Sequence, residues 1–141
     1  MSLGLPGYYY SDQDIFAQEM RSLWCSTWQC VGREEALRCA GDYLTCLIGN
    51  QPVFVIRTLD GELRAMHNVC RHRGARLLEG QGNCSMVRCP YHAWTYDLEG
   101  FLQGVPQAKL FVDLDKSELP LLRESEKFWG RWVTTKQGFK R

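Results

Sequence analysis

A chain of 141 residues with 45% hydrophobic side chains is of ordinary single-domain size, with apolar surface for one core. Seventeen Lys and Arg against sixteen Asp and Glu leave a formal net charge of +1, which excludes a broad basic face for nucleic acid and an acidic tail. No apolar run approaches the roughly 18 residues of a membrane span, and residues 1–14 have neither the cationic nor the apolar part of a secretory leader, so a soluble cytoplasmic protein is expected.

In chain order, Ser11 and Asp14 form a start resembling a capping box, and Phe16, Met20, Leu23, Trp24 and Thr27 then recur at helical spacing, which predicts one amphipathic helix over 11–28. After Gly41 the pattern changes to short alternating runs. Strands are expected at 43–48 and 52–57 around the turn Gly49-Asn50, and at 62–66 after Asp60-Gly61. Further strands are expected at 86–88, 94–98, 101–103 and 121–134, with a long surface connection over 104–120 that carries Asp113, Asp115, Lys116 and Glu118. The expected fold is all-β, antiparallel sheets with two loops at 68–77 and 89–93, preceded by one N-terminal helix. Residues 1–40 are read as that helix and a lead-in strand, and 41–141 as the body.

Seven cysteines are an odd number, and in a reducing compartment metal ligation or burial accounts for them better than a disulfide framework. Cys70-Arg71-His72 and Cys89-Pro90-Tyr91-His92 are two short pairs, each with one thiol and one imidazole, separated by the sixteen residues 73–88. A [2Fe-2S] cluster takes two protein ligands per iron, and one variant uses two cysteines on one iron and two histidines on the other. A loop can serve both irons only if its Cys and His are close in sequence, so C-x-H and C-x-x-H suit two hairpin tips that clasp such a cluster. Two neutral imidazoles in place of thiolates raise the potential above that of an all-cysteine cluster. Titratable imidazoles at the solvent edge would also couple the electron to a proton and make the potential depend on pH.

Structural zinc is the competing reading, because Cys2His2 is also a tetrahedral zinc set. Zinc sites usually pair Cys with Cys and His with His in sequence, whereas both pairs are mixed here. His67, the third histidine, is read as structural. Cys25, Cys30, Cys39, Cys46 and Cys84 show no metal spacing and are read mostly as buried small hydrophobes.

The run Asn68-Val69-Cys70-Arg71-His72-Arg73-Gly74-Ala75-Arg76-Leu77, with Cys89-Pro90-Tyr91-His92-Ala93-Trp94-Thr95-Tyr96-Asp97 and Gly100, closely resembles the Rieske domain of the α subunit of aromatic ring-hydroxylating oxygenases. The likeness extends to Trp28, Val31 and Gly32, to the strand ending at Arg57, and to Asp60-Gly61. It implies that Cys70 and Cys89 hold one iron, that His72 and His92 hold the other, and that Trp94 packs beneath the cluster. Arg73 and Tyr91 stand where high-potential relatives carry a disulfide, so the resemblance implies the low-potential oxygenase or ferredoxin branch. Relatives with similar N-terminal halves act on carnitine, choline and glycine betaine, so an aromatic substrate is not presumed.

Such an α subunit also has a catalytic domain with a mononuclear Fe(II) held by two histidines and a carboxylate. No histidine follows His92 here. That site is therefore expected only in a C-terminal catalytic domain absent from this sequence, which reads as a fragment or a truncated reading frame. The expected function is oxidoreductase electron relay, from a ferredoxin or flavin reductase to a mononuclear iron in a neighbouring subunit, with a trimer as the common assembly of relatives. The alternative is a stand-alone Rieske ferredoxin. The N-terminal helix favours the oxygenase, by fold-level analogy. A zinc-stabilised interaction domain is the third class. Arg73 and Arg76, beside the first ligand loop, are candidates to face an acidic partner.

Overall fold

The N-terminal helix is shorter than its apolar periodicity predicts. In the computed structural model, which describes residues 4–24, 26–129 and 132–136, helix α1 spans Gln13–Glu19 and then widens into a π turn over Met20–Trp24. Its cap is Asp12, not Ser11: one carboxylate oxygen accepts from the N–H groups of Asp14 and Ile15 at 2.9 and 3.1 Å. The hydroxyls of Ser22 and Thr27 donate to the carbonyls of Gln18 and Leu23, four residues back, at 2.6 and 2.8 Å. Such bonds compete with the helical ladder and help end it before residue 28. No residue of α1 is buried. Met20 and Trp24 lie against Gly49, and none of the helices is long and apolar enough to cross a membrane among the described residues.

The strands that follow form antiparallel sheets. Strand β1 (Gln29–Arg33) leads in, and β2 (Asp42–Ile48) and β3 (Gln51–Arg57) are joined by the two-residue turn Gly49-Asn50. Strand β4 (Leu63–His67) follows the Asp60-Gly61 turn, and β5 (Gln81–Asn83) completes a sheet ordered β4-β3-β2-β5. Strand β5 is not predicted, because Gln-Gly-Asn has neither apolar alternation nor β propensity. It forms because Asp42 and Asn83 pair in register and the Asn83 amide donates to Asp42 at 2.8 Å and to the Ala40 carbonyl at 3.0 Å.

A second sheet is built from β6 (Val87–Arg88), β7 (Thr95–Tyr96) and β8 (Leu102–Gly104). The single strand expected over 121–134 resolves instead into β9 (Ser125–Trp129) and β10 (Trp132–Lys136), which pair Trp129 with Trp132. Strand β10 also pairs with β1, giving a third sheet ordered β1-β10-β9.

Strand β3 shows why two cores exist. Its alternation sends Val53 and Val55 to one side, where they meet Leu37, Leu44, Ile48, Leu63, Ala65 and Val133. Phe54 and Ile56 go to the other side, against Met66, Cys70, Leu77, Cys89, Trp94 and Tyr96. Period-two side chains on a central strand bury both faces, and each fully buried side chain of this size contributes about 1.5–3 kcal/mol. The second core contains both cysteines of the ligand pairs and so gives the loops a rigid floor. At the β7–β8 turn, Gly100 has φ +90°, and a Cβ there would come within 2.5 Å of the Met66 sulfur. The position therefore requires glycine for conformation and for space. His67 is structural, as expected: its Nε2 lies 2.5 Å from the buried carboxylate of Glu124.

Candidate metal centre

The two ligand loops close in the same way. Cys70 N–H donates to the Ala75 carbonyl at 2.8 Å, and the Cys70 carbonyl accepts from Gly74 N–H at 3.0 Å. In the second loop Cys89 N–H donates to the Trp94 carbonyl at 2.8 Å, and the Cys89 carbonyl accepts from Ala93 N–H at 3.0 Å. The residue four places after each cysteine is left-handed, Gly74 at φ 72° and Ala93 at φ 56°. The tips therefore match, although the histidine stands two residues after Cys70 and three after Cys89.

Alanine is an unfavourable choice for the left-handed position. Its penalty there is about 1–2 kcal/mol, whereas glycine costs about 0.4–1 kcal/mol more in unfolded-chain entropy. Ala93→Gly is accordingly expected to stabilise the domain by about 0.5 kcal/mol in urea unfolding. A lower unfolding midpoint would show that the loop gains more from the methyl group than it loses in strain.

Asn68 locks the first loop to the sheet. Its side-chain oxygen accepts from Leu77 and Leu78 N–H at 3.1 and 2.9 Å, its amide donates to the Leu78 carbonyl at 2.7 Å, and its own N–H donates to the Pro52 carbonyl at 2.8 Å. One buried side chain thus holds both ends of the ten-residue loop together.

The four predicted ligands are brought together as two pairs, Cys70 with Cys89 and His72 with His92. The thiols of Cys70 and Cys89 are neighbours, each residue 3% exposed. Burial raises the Cys70 pKa and the Cys89 thiol adds to it, while hydrogen bonds from Tyr96 and from the His72 backbone oppose the rise. The imidazoles of His72 and His92 meet edge to face, with centroids 4.8 Å apart and planes at 66°. Burial, followed by the charges of His92 and Arg73, lowers the His72 pKa.

The Nδ1 atoms of His72 and His92 are buried and have no hydrogen-bond partner. A buried orphaned nitrogen costs about 1–3 kcal/mol, which a metal bond would offset. The donors sort as a pair of thiols and a pair of imidazoles, and among the described residues no three donors share one ion position. That arrangement fits two metals with two protein ligands each and does not fit a single tetrahedral zinc.

Three residues around these donors were not singled out for such a role by spacing. The Tyr96 hydroxyl accepts from Arg71 N–H at 3.1 Å, which leaves its own proton free for Cys70 Sγ at 3.4 Å. Asn68 is the loop anchor described above. Phe111, in the connection read as a surface segment, packs with Leu114 and Leu119 against the ligand-loop core. An isolated apolar triplet, Leu110-Phe111-Val112, was the one available signal. Trp94 is buried and stacks on His72 at 4.7 Å and 6°.

The remaining cysteines depart from expectation. Cys30 and Cys39 are exposed, and Cys46 and Cys84 are only partly buried, because Cys30 points outward from β1 and Cys39 lies in the turn before β2. Burial pushes the Cys46 thiol up to about 11. Cys25 lies outside the described residues.

Comparison with known proteins agrees with this geometry. The profile of the Rieske [2Fe-2S] domain matches residues 27–120. The oxygenase subunit of glycine betaine monooxygenase from Chromohalobacter salexigens is 44% identical over 99 residues, covering 70% of this chain and 22% of that protein. The α subunit of benzene 1,2-dioxygenase from Pseudomonas putida is 38% identical over 124 residues, covering 86% of this chain and 28% of that protein. A solved quaternary ammonium Rieske monooxygenase, described for carnitine oxidation and inter-subunit electron transfer, superposes with a TM-score of 0.89 at 29% identity, over 96% of this chain and 37% of that one. The chain thus spans about a quarter of the length of the curated relatives it matches.

Proposed function

Because the chain belongs to the Rieske [2Fe-2S] domain family, we propose that it is the electron-relay domain of a Rieske oxygenase α subunit, an oxidoreductase, with Cys70 and Cys89 holding one iron and His72 and His92 the other. The supporting observation is the pairing of thiol with thiol and imidazole with imidazole, with both Nδ1 atoms buried and unpartnered. When bound, the cluster supplies one-electron chemistry at a potential above that of an all-cysteine centre.

The protein residues determine how that chemistry is reached. The cysteine half is sealed in the core, while His72 and His92 are only half-buried, so the imidazole edge is the side on which a donor and an acceptor would dock. Arg71, Arg73 and Arg76 are exposed beside it and form no salt bridge among the described residues. That uncompensated charge suits an acidic donor such as a ferredoxin or a flavin reductase with an acidic face. The acceptor in this reading is the mononuclear Fe(II) of a catalytic domain, reached in a neighbouring subunit of a trimer.

Tyr96 tunes the cysteine side. Burial raises its pKa, so the hydroxyl stays protonated and donates toward Cys70 Sγ. Such a bond stabilises the more negative, reduced form. Tyr96→Phe is expected to lower the midpoint potential by on the order of 50 mV, since a hydrogen bond of about 1 kcal/mol corresponds to that shift for one electron. Potentiometric titration of the two proteins checks it, and equal potentials would remove Tyr96 from the tuning role.

The function itself is tested by anaerobic purification. A reddish-brown protein whose reduced form gives a rhombic EPR signal is the expected result. Colourless protein with stoichiometric zinc would overturn the reading.

A further inference from the structure

The connection between β8 and β9 holds backbone conformations that are unfavourable for their residues. Gln107 and Asp113 are both left-handed, at φ 54° and 61°, and neither is glycine. Between them lies one 3-10 turn, Ala108–Leu110, followed by Phe111. Leu110 and Val112 are 73% and 88% exposed, yet Phe111 between them turns inward onto the ligand-loop core. The segment is also pinned downstream, where the Lys116 ammonium donates to the Gln103 carbonyl at 2.7 Å and Asp115 caps the turn Lys116–Glu118.

A loop folded only to bury apolar surface would not leave two of three adjacent apolar side chains in water. The Phe111 ring stands edge-on to His72 at 5.9 Å and 79°, and edge-on to Trp94 at 5.9 Å and 74°. Trp94 covers a face of the His72 imidazole and His92 meets it at 4.8 Å, so the ring is surrounded by aromatic neighbours. Both edge-to-face distances lie in the favourable range for aromatic pairs.

We propose that Phe111 is a positioning residue for His72, and that segment 107–113 is a cap that holds the imidazole against Trp94. This rests on the reading of His72 as a cluster ligand. Residues outside the first coordination sphere that orient a ligand typically change metal retention by 10–100-fold when removed, and Phe111 would do so through ring contacts.

The test uses the full 141-residue chain loaded with its cluster, unsubstituted and as F111A, F111L, F111Y and L110A. Two properties are read: the rate at which the visible chromophore bleaches in excess EDTA, and the imidazole nitrogen couplings of the reduced state by pulsed EPR. F111A and F111L are expected to bleach about tenfold faster, with one of the two nitrogen couplings shifted and the other unchanged. F111Y, which keeps the ring, and L110A, which alters only an exposed neighbour, are expected to match the unsubstituted chain. F111L is informative even where F111A fails to fold. Bleaching and couplings unchanged in F111L would overturn the proposal and leave His72 as a ligand. Absence of two imidazole couplings in the unsubstituted chain would overturn the ligand reading, and the proposal with it.

Discussion

Asn68→Ala is expected to cost about 3–5 kcal/mol of folding stability, the sum of three hydrogen bonds lost from a buried side chain and the backbone groups they leave unpaired. The groups concerned are the N–H of Leu77 and Leu78 and the carbonyl of Leu78, at distances of 2.7–3.1 Å from the Asn68 amide. Asn68 is 1% exposed, so water cannot easily take over these bonds. Typical domains have about 5–15 kcal/mol in total, and the variant would hold its first ligand loop poorly. Asn68→Asp separates packing from hydrogen bonding, because a carboxylate can still accept from the two N–H groups but must face the Leu78 carbonyl. Its loss should be intermediate in urea unfolding. A loss under about 1 kcal/mol for the alanine variant would show that Asn68 does not anchor the loop.

Replacing His72 or His92 by Cys should lower the midpoint potential by on the order of 100 mV or more, or abolish the cluster. A third thiolate brings extra negative charge to a centre that must become more negative on reduction, and all-cysteine clusters lie near −400 mV against about −150 to +300 mV for the mixed set. Spectroelectrochemistry of whichever variant keeps its colour decides the matter. A potential equal to that of the unsubstituted chain would mean that the replaced histidine is not a ligand.

The structure explains why these two changes differ in kind. Asn68 acts through the fold, on three backbone groups up to ten residues away in sequence. As the proposed ligands, His72 and His92 would act through their buried Nδ1 atoms. Stability measurements register the first, and potentials the second.

From sequence alone the four candidate ligands were legible, because C-x-H and C-x-x-H are local patterns whose meaning depends only on donor type and spacing. The alternation of β2 and β3 and the turn Gly49-Asn50 were legible for the same reason, since period and turn chemistry act over a few residues. What only the tertiary structure decided involves residues far apart in the chain. It placed β10 beside β1 and paired polar β5 with β2. It turned Tyr96 toward Cys70 across 26 residues and set Phe111 against His72. Such contacts follow from which surfaces pack together, and no local period encodes them, so the neighbours of the four candidate ligands emerge only once both faces of β3 are buried.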